Sequence, residues 1–256
     1  MEKKYELTDE ILEVGGHVLH RIKALRDFGN VKKGDIGGWI ECEDNLSHDD
    51  DCWVYGEARV YGKAEVYEKA EVYGKARVYG EAEVCGEARV YGEARVYGKA
   101  EVYEKAGVYG KARVYGEAEV YGKARVYGKA EVYGKAEVYE KAGVYEKARV
   151  YGEAEVYGKA RVYGEAEVCG EARVYGEARV YGEAVIKSKS DYIVFKNWWS
   201  SGRYFTWTRS NDKWKVGCFY GTGEELIKKA YNDSEEKGRE YERIVKYVES
   251  IKQEFK

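Results

Sequence analysis

The chain has 256 residues, room for one large domain or for a middle domain between two small ends. Charged residues make up 36% of it, yet the formal net charge is only −3, which removes the global electrostatic case for nucleic acid or an anionic membrane as partner. Tyrosine is extreme at 27 residues and proline is absent, a skew that signals internal repetition rather than an ordinary globular composition.

Residues 1–53 read as an N-terminal cap and first coil. The opening residues carry no apolar leader, and no stretch approaches the roughly 18 apolar residues of a membrane helix, so a cytoplasmic location is expected. Tyr5-Glu6-Leu7 and His17 to Ile22 predict short strands. All three histidines lie here: His17, His20 and His48. His48 precedes Asp49-Asp50-Asp51, which reads as a solvated acidic turn, because no matching metal-ligand spacing accompanies it. The five cysteines, Cys42, Cys52, Cys85, Cys169 and Cys218, follow neither a zinc spacing nor a disulfide framework, as suits a reducing compartment. Ile40, Leu46 and Cys52 fall in register with the alanine column of the repeat that follows.

From Val54 to Val180 valine occupies every sixth position, and Ile186 continues the series. Alanine follows each valine by four, from Ala58 to Ala184, giving the unit Ala-x-Val-Tyr-Gly-x. A helix would need apolar positions about 3.6 apart, so a period of six is not helical. Four residues of strand alternate sides, Ala and Val inward, x and Tyr outward, and Gly-x turns the corner. One such strand cannot bury its own apolar side; stacked coils can. Residues 54–186 therefore predict a parallel β-solenoid. If three hexads make a coil, residues 18 apart stack. One outward column then reads Arg59, Arg77, Arg95, Arg113, Glu131, Arg149, Glu167. A second reads Glu65, Glu83, Glu101, Glu119, Glu137, Glu155, Arg173. The third runs Glu71, Arg89, Gly107, Arg125, Gly143, Arg161, Arg179. Seven such coils at ~4.8 Å each make a rod roughly 35 Å long. The column Lys63, Glu81, Lys99, Glu117 alternates in sign, whereas the Glu column repels itself and needs nearby cations to offset it. The tyrosines form outward ladders, interrupted at Cys85 and Cys169, which fall in different columns and so do not predict a disulfide.

At these residues the sequence resembles the left-handed parallel β-helix family. Its hexapeptide places an aliphatic residue four before a small one, as at Val54 and Ala58, with three hexads per triangular coil. The chain departs from that pattern by placing Tyr after the aliphatic residue. The stretch Ile22 to Phe28, with Gly37-Gly38-Trp39-Ile40 and Asp51-Cys52-Trp53-Val54, is similar to the N-terminal part of the YdcK-type bacterial β-helix proteins. That resemblance implies the fold more than any activity.

After Ile186 the composition changes, and residues 187–256 read as a small α+β module. Asp191 to Tyr220, rich in Trp, Tyr, Phe and Val with turn signals at Ser200-Ser201-Gly202 and Ser210-Asn211-Asp212, predicts three short antiparallel strands. Thr222-Gly223-Glu224-Glu225 is a capping-box pattern opening a helix to about Tyr231. A second helix, begun by Asp233 or Ser234, carries Tyr241, Ile244, Val245, Val248 and Ile251 on one face. The module resembles a domain found at the C-termini of phage and prophage proteins. Its least repetitive chemistry is Lys196, Trp198, Trp199, Arg203, Trp207, Arg209 and Trp214. Aromatics interleaved with Arg suit recognition of a nucleotide, single-stranded nucleic acid or a protein surface. The same residues suit, more simply, a small domain that uses Trp for its core and its contact with the rod.

Many hexapeptide β-helix relatives are acyl- or nucleotidyltransferases, and the acyltransferases use a His base in clefts made by loops leaving the coil. Here 22 successive units contain no His, Ser or Thr and no loop insertion. A general base needs a titrating group within reach of substrate, and a ligand site needs concavity; a regular prism supplies neither. No cofactor motif, metal site or nucleophile motif is present. The leading expectation is a non-enzymatic structural scaffold or protein-interaction protein, of phage or prophage type, whose rod presents the C-terminal module. The alternatives are a hexapeptide-type transferase with its site at the cap or an oligomer interface, and a nucleotide or nucleic-acid binder acting through the Arg/Trp module. The expected partner is a protein, with no membrane contact, and the chain is a monomer or homo-oligomer.

Overall fold

The computed structural model describes residues 2–254, and in it the repeat winds into a parallel β-solenoid of about eight coils. Residues 18 apart pair on all three faces. On the first, Arg95 stacks between Arg77 and Arg113. On the second, Glu101 lies between Glu83 and Glu119. On the third, Arg89 lies between Glu71 and Gly107. The three outward columns expected from the sequence are thus the three faces of the rod. Every valine and alanine of the repeat is buried in one continuous core. Each buried valine contributes roughly 1.5–3 kcal/mol of apolar transfer. Backbone amides bond from coil to coil, for example Glu101 N to Ala118 O at 3.0 Å.

The corners explain the glycines. Gly80 sits at φ 79°, where L-residues are strained, and a Cβ there would lie 3.0 Å from the Gly98 amide nitrogen in the next coil.

The N-terminal cap is larger than the short strands expected. Strands β1 (Tyr5–Val14) and β2 (His17–Ala24) form an antiparallel hairpin, and β2 pairs with β3 (Ile36–Ile40), which opens the first face. Cys52 holds the expected register, because the next residues pair Trp53 with Glu71 and Val54 with Val72. Ile40 and Leu46 do not. Ile40 pairs with Val60 and Leu46 bridges Val66, two residues beyond the alanine register. The shift is an even number, so strand alternation still points both inward, and both are fully buried.

The C-terminal module has four antiparallel strands rather than three: Tyr192–Lys196, Tyr204–Thr208, Lys213–Val216 and Phe219–Gly221. Two helices follow, α1 (Gly223–Asp233) and α2 (Glu235–Glu254). The capping box closes as expected, with Thr222 accepting from Glu225 N. Tyr241, Val245 and Val248 of α2 pack on Phe205, Trp207 and Trp214 in a core separate from that of the rod. The module also closes the rod's open end. Arg179 N donates to Thr206 Oγ1 (2.9 Å) and Val185 N to Ser210 Oγ (2.7 Å), while the Tyr192 hydroxyl donates to Arg173 O (3.0 Å). These bonds satisfy strand-edge groups that would otherwise template aggregation. Among the described residues no helix is long and apolar enough to cross a membrane.

Candidate functional site

The seven residues singled out in the C-terminal module separate into three environments. Trp207 and Trp214 are core residues; the Trp207 indole donates to Asp212 Oδ1 at 2.8 Å, and Trp214 is fully buried. Arg203 lies against Gly217, and Arg209 is exposed on the turn after the second strand, its amide bonded to Asp191 O. Lys196, Trp198 and Trp199 stay together. Trp198 is 71% and Trp199 81% exposed, and the Lys196 ammonium sits 3.7 Å from the Trp198 ring centre. The Arg/Trp set is therefore not one constellation.

A cleft of about 350 Å³ opens beside Trp199, lined also by Phe195, Asn197, Glu240, Arg243, Ile244 and Tyr247. Its floor is built rather than loose. Asn197 is fully buried and accepts on Oδ1 from the Trp199 and Ser200 amides, at 2.9 and 3.1 Å. Its Nδ2 donates to Glu240 Oε2 (3.2 Å), and the Ser200 hydroxyl donates to the same oxygen. This network fixes the loop so that both tryptophans face solvent. Phe195 meets Tyr247 edge-on at 5.8 Å. Arg243 is exposed on the rim and makes no ion pair among the described residues, so the cleft presents an apolar wall and one available cation. The sequence reading missed Phe195, Glu240, Arg243 and Tyr247. Ile244 was visible as an apolar helix position, but which α2 residues meet the 197–203 loop depends on the docking of helix on sheet.

The rod is less featureless than a regular prism. A shallow trough of about 1250 Å³ runs along the corner between the second and third faces, from Asp50 to Glu177. Its lining alternates from coil to coil: Glu68, Glu104 and Glu140 occupy the corner position that Gly86, Gly122 and Gly158 take in the coils between. The three glutamates sit at φ 57°, 57° and 58°, where glycine is favoured. The recurrence of Glu at a spacing of 36 was the signal for it. Lysines and glutamates line the trough in near balance, and it holds no histidine or hydroxyl nucleophile other than tyrosine.

On the second face the tyrosine hydroxyls bind the acidic column. Tyr67, Tyr103, Tyr121 and Tyr139 donate to Glu83, Glu119, Glu137 and Glu155 at 2.8–3.0 Å, each 16 residues on. Burial and then the neighbouring carboxylate push the hydroxyls of Tyr103, Tyr121 and Tyr139 well above the usual phenol range. Cys85 stands where the donor to Glu101 would be. Among the described residues Glu101 has no hydroxyl partner, and burial, then Glu119 and Glu83, raise its pKa.

The cap histidines do not converge. His17 Nδ1 lies 2.9 Å from Glu41, His20 Nδ1 lies 3.2 Å from Thr8 O, and His48 stacks on Tyr5 at 4.2 Å. Beneath the acidic turn, Lys4 is fully buried and donates to Cys52 O (2.9 Å) and Asp49 O (3.1 Å). Among the described residues no group of three metal-ligating side chains is assembled. All five cysteines are free thiols, with Cys85 following Val84 of the second face and Cys169 following Val168 of the first.

No protein-family model matches this chain, and no match is found among curated proteins.

Proposed function

We propose that this chain is a non-enzymatic scaffold and protein-interaction protein, whose rod holds the C-terminal module and whose binding residues surround the cleft at Trp199. The observation that carries this reading is the pair of exposed tryptophans on a loop locked by a buried Asn197–Ser200–Glu240 network. Exposed aromatics held rigidly beside an apolar pocket are the composition of an interaction hot spot. The cleft suits a peptide segment with one apolar side chain to fill it and a carboxylate to meet Arg243.

The transferase reading lacks a positioned base, since the three cap histidines have separate partners. The nucleotide or nucleic-acid reading loses its geometric basis, since Trp207 and Trp214 are core and neither Arg203 nor Arg209 lines the cleft. The YdcK-type resemblance bears on the fold more than on any activity, and the phage likeness is one of sequence pattern alone.

The test is affinity capture from the native host with the full-length chain, comparing wild type, Trp199→Ser and Arg243→Ala. The expected result is a protein recovered with wild type and lost, or reduced at least tenfold, with both variants at unchanged thermal stability. Equal recovery with all three would place the binding surface elsewhere.

A further inference from the structure

The acidic column of the second face is uncompensated. Arg173 pairs with Glu155 at its end, at 2.9 Å, but Glu65, Glu83, Glu101, Glu119 and Glu137 form no ion pair among the described residues. Like charges one coil apart repel, and burial adds to the effect at Glu101.

The third face carries the opposite imbalance in one patch about Arg125. Lys123, Arg125 and Lys129 are exposed and without an ion pair among the described residues, and so is Lys141 on the next coil. The side-chain packing there is also singular. Gly107 and Gly143 flank Arg125 in its column, and the rings of Tyr109 and Tyr145 fold into the space a Cβ would fill. This breaks the tyrosine ladder. Tyr91 contacts Tyr109 and Tyr145 contacts Tyr163, but Tyr127 between them makes no ring contact among the described residues and is 52% exposed. The result is a standing, exposed aromatic with the exposed cations Arg125 and Lys129 two residues to either side.

We propose that copies of this chain associate side by side, the basic third face of one rod, centred on Arg125 and Tyr127, lying against the acidic second face of the next, centred on Glu119 and Glu137. Both surfaces carry charges without an ion-pair partner among the described residues, and the acidic column repeats at the coil spacing of ~4.8 Å, so one basic patch spans successive glutamates of the neighbouring rod. The net charge of −3 disfavours a long polyanion, whereas it leaves a pairing of opposite faces free to form. The contact is heterologous: each copy keeps one donor and one acceptor face, so growth passes beyond a dimer. It uses no residue of the C-terminal cleft and stands independently of the function proposed above.

Sedimentation velocity on the full-length chain tests this. At about 20 mM salt the average mass should rise with protein concentration above the 29.3 kDa monomer, and it should fall to the monomer near 500 mM, where screening shortens to about 4 Å. Two charge-reversed variants separate the faces: Lys123→Glu/Arg125→Glu/Lys129→Glu, and Glu119→Lys/Glu137→Lys. These are outward positions, and circular dichroism melting checks that both fold. Each alone should be monomeric at low salt, and an equimolar mixture should associate again, because each then supplies the face the other needs. Tyr127→Ala should weaken wild-type association about tenfold without lowering the melting temperature. A wild-type monomer at all salts would overturn the proposal, as would association that survives reversal, or a mixture that stays monomeric. A chain that remains monomeric while its basic patch retains an oligonucleotide would overturn it in favour of a nucleic-acid surface.

Discussion

At the scale of single residues, departures from the repeat carry more information than the repeat itself. Inward Val and Ala followed from alternation alone, because strand geometry leaves no other side for them. What Cys85 does to Glu101 needed the structure, since the hydroxyl-to-carboxylate bond spans 16 residues and crosses between coils. Restoring the ring should restore the bond: Cys85→Tyr is expected to stabilise by about 1 kcal/mol, from stacking on Tyr67 and Tyr103 and one charge-assisted hydrogen bond, read as a higher unfolding midpoint. Glu101→Gln should also raise the melting temperature at pH 7. The raised pKa means the folded state holds this proton more tightly than the unfolded chain. Ionisation therefore costs stability as pH rises through the carboxylate range and above, and the cost vanishes below it. The Gln variant should match wild type near about pH 3, where both side chains are neutral. The corner glutamates give a second residue-scale test. Glu104→Gly should relieve its positive φ and stabilise by up to about 1 kcal/mol. Gly122→Ala should cost about 1–3 kcal/mol, because its φ is 71° and a Cβ would lie 2.7 Å from the Glu140 nitrogen. Thermal or urea unfolding of the pair distinguishes strain from mere substitution.

At the scale of elements, the ends decide whether the stack is a discrete body. Face membership of every hexad was legible, because a lag of 18 follows from three hexads per coil. The ends were only partly legible. The β1–β2 hairpin extends well beyond Tyr5-Glu6-Leu7 and His17 to Ile22, since its outer strand is half-solvated and its polar residues dilute the pattern. The two-residue shift at Ile40 and Leu46 was hidden because an even shift preserves alternation. The cap is fastened by Lys4, whose buried ammonium satisfies carbonyls of the turn at Asp49 and Cys52. Lys4→Met should remove those donors while keeping the volume, and is expected to destabilise by about 2 kcal/mol. Hydrogen exchange should show the loss first in residues 46–54. Uniform loosening of the whole rod would contradict a local clamp.

At the scale of the whole molecule, a long uniform body joins two irregular ends, and one of them presents a cleft. The sequence grouped Trp198, Trp199 and Lys196 with Trp207 and Trp214 and could not separate them, because burial of an indole depends on which strand face meets the helices. Arg243 and Tyr247 were unreachable for the same reason. The ion pairs between coils, such as Lys159–Glu177 at 3.0 Å and Arg89–Glu71 at 3.2 Å, are exposed and contribute little each; they mark register rather than supply stability. The central proposal is recognition by the C-terminal cleft rather than by the rod. Site-resolved photo-cross-linking tests it most directly, with a photoreactive amino acid at position 198, beside the intact Trp199, or at Tyr97 on the first face of the full-length chain, in host lysate. Recognition by the cleft predicts a discrete protein adduct from position 198, absent from position 97 and abolished by Arg243→Ala. An adduct of equal yield from position 97, or one from position 198 that ignores Arg243→Ala, would contradict it.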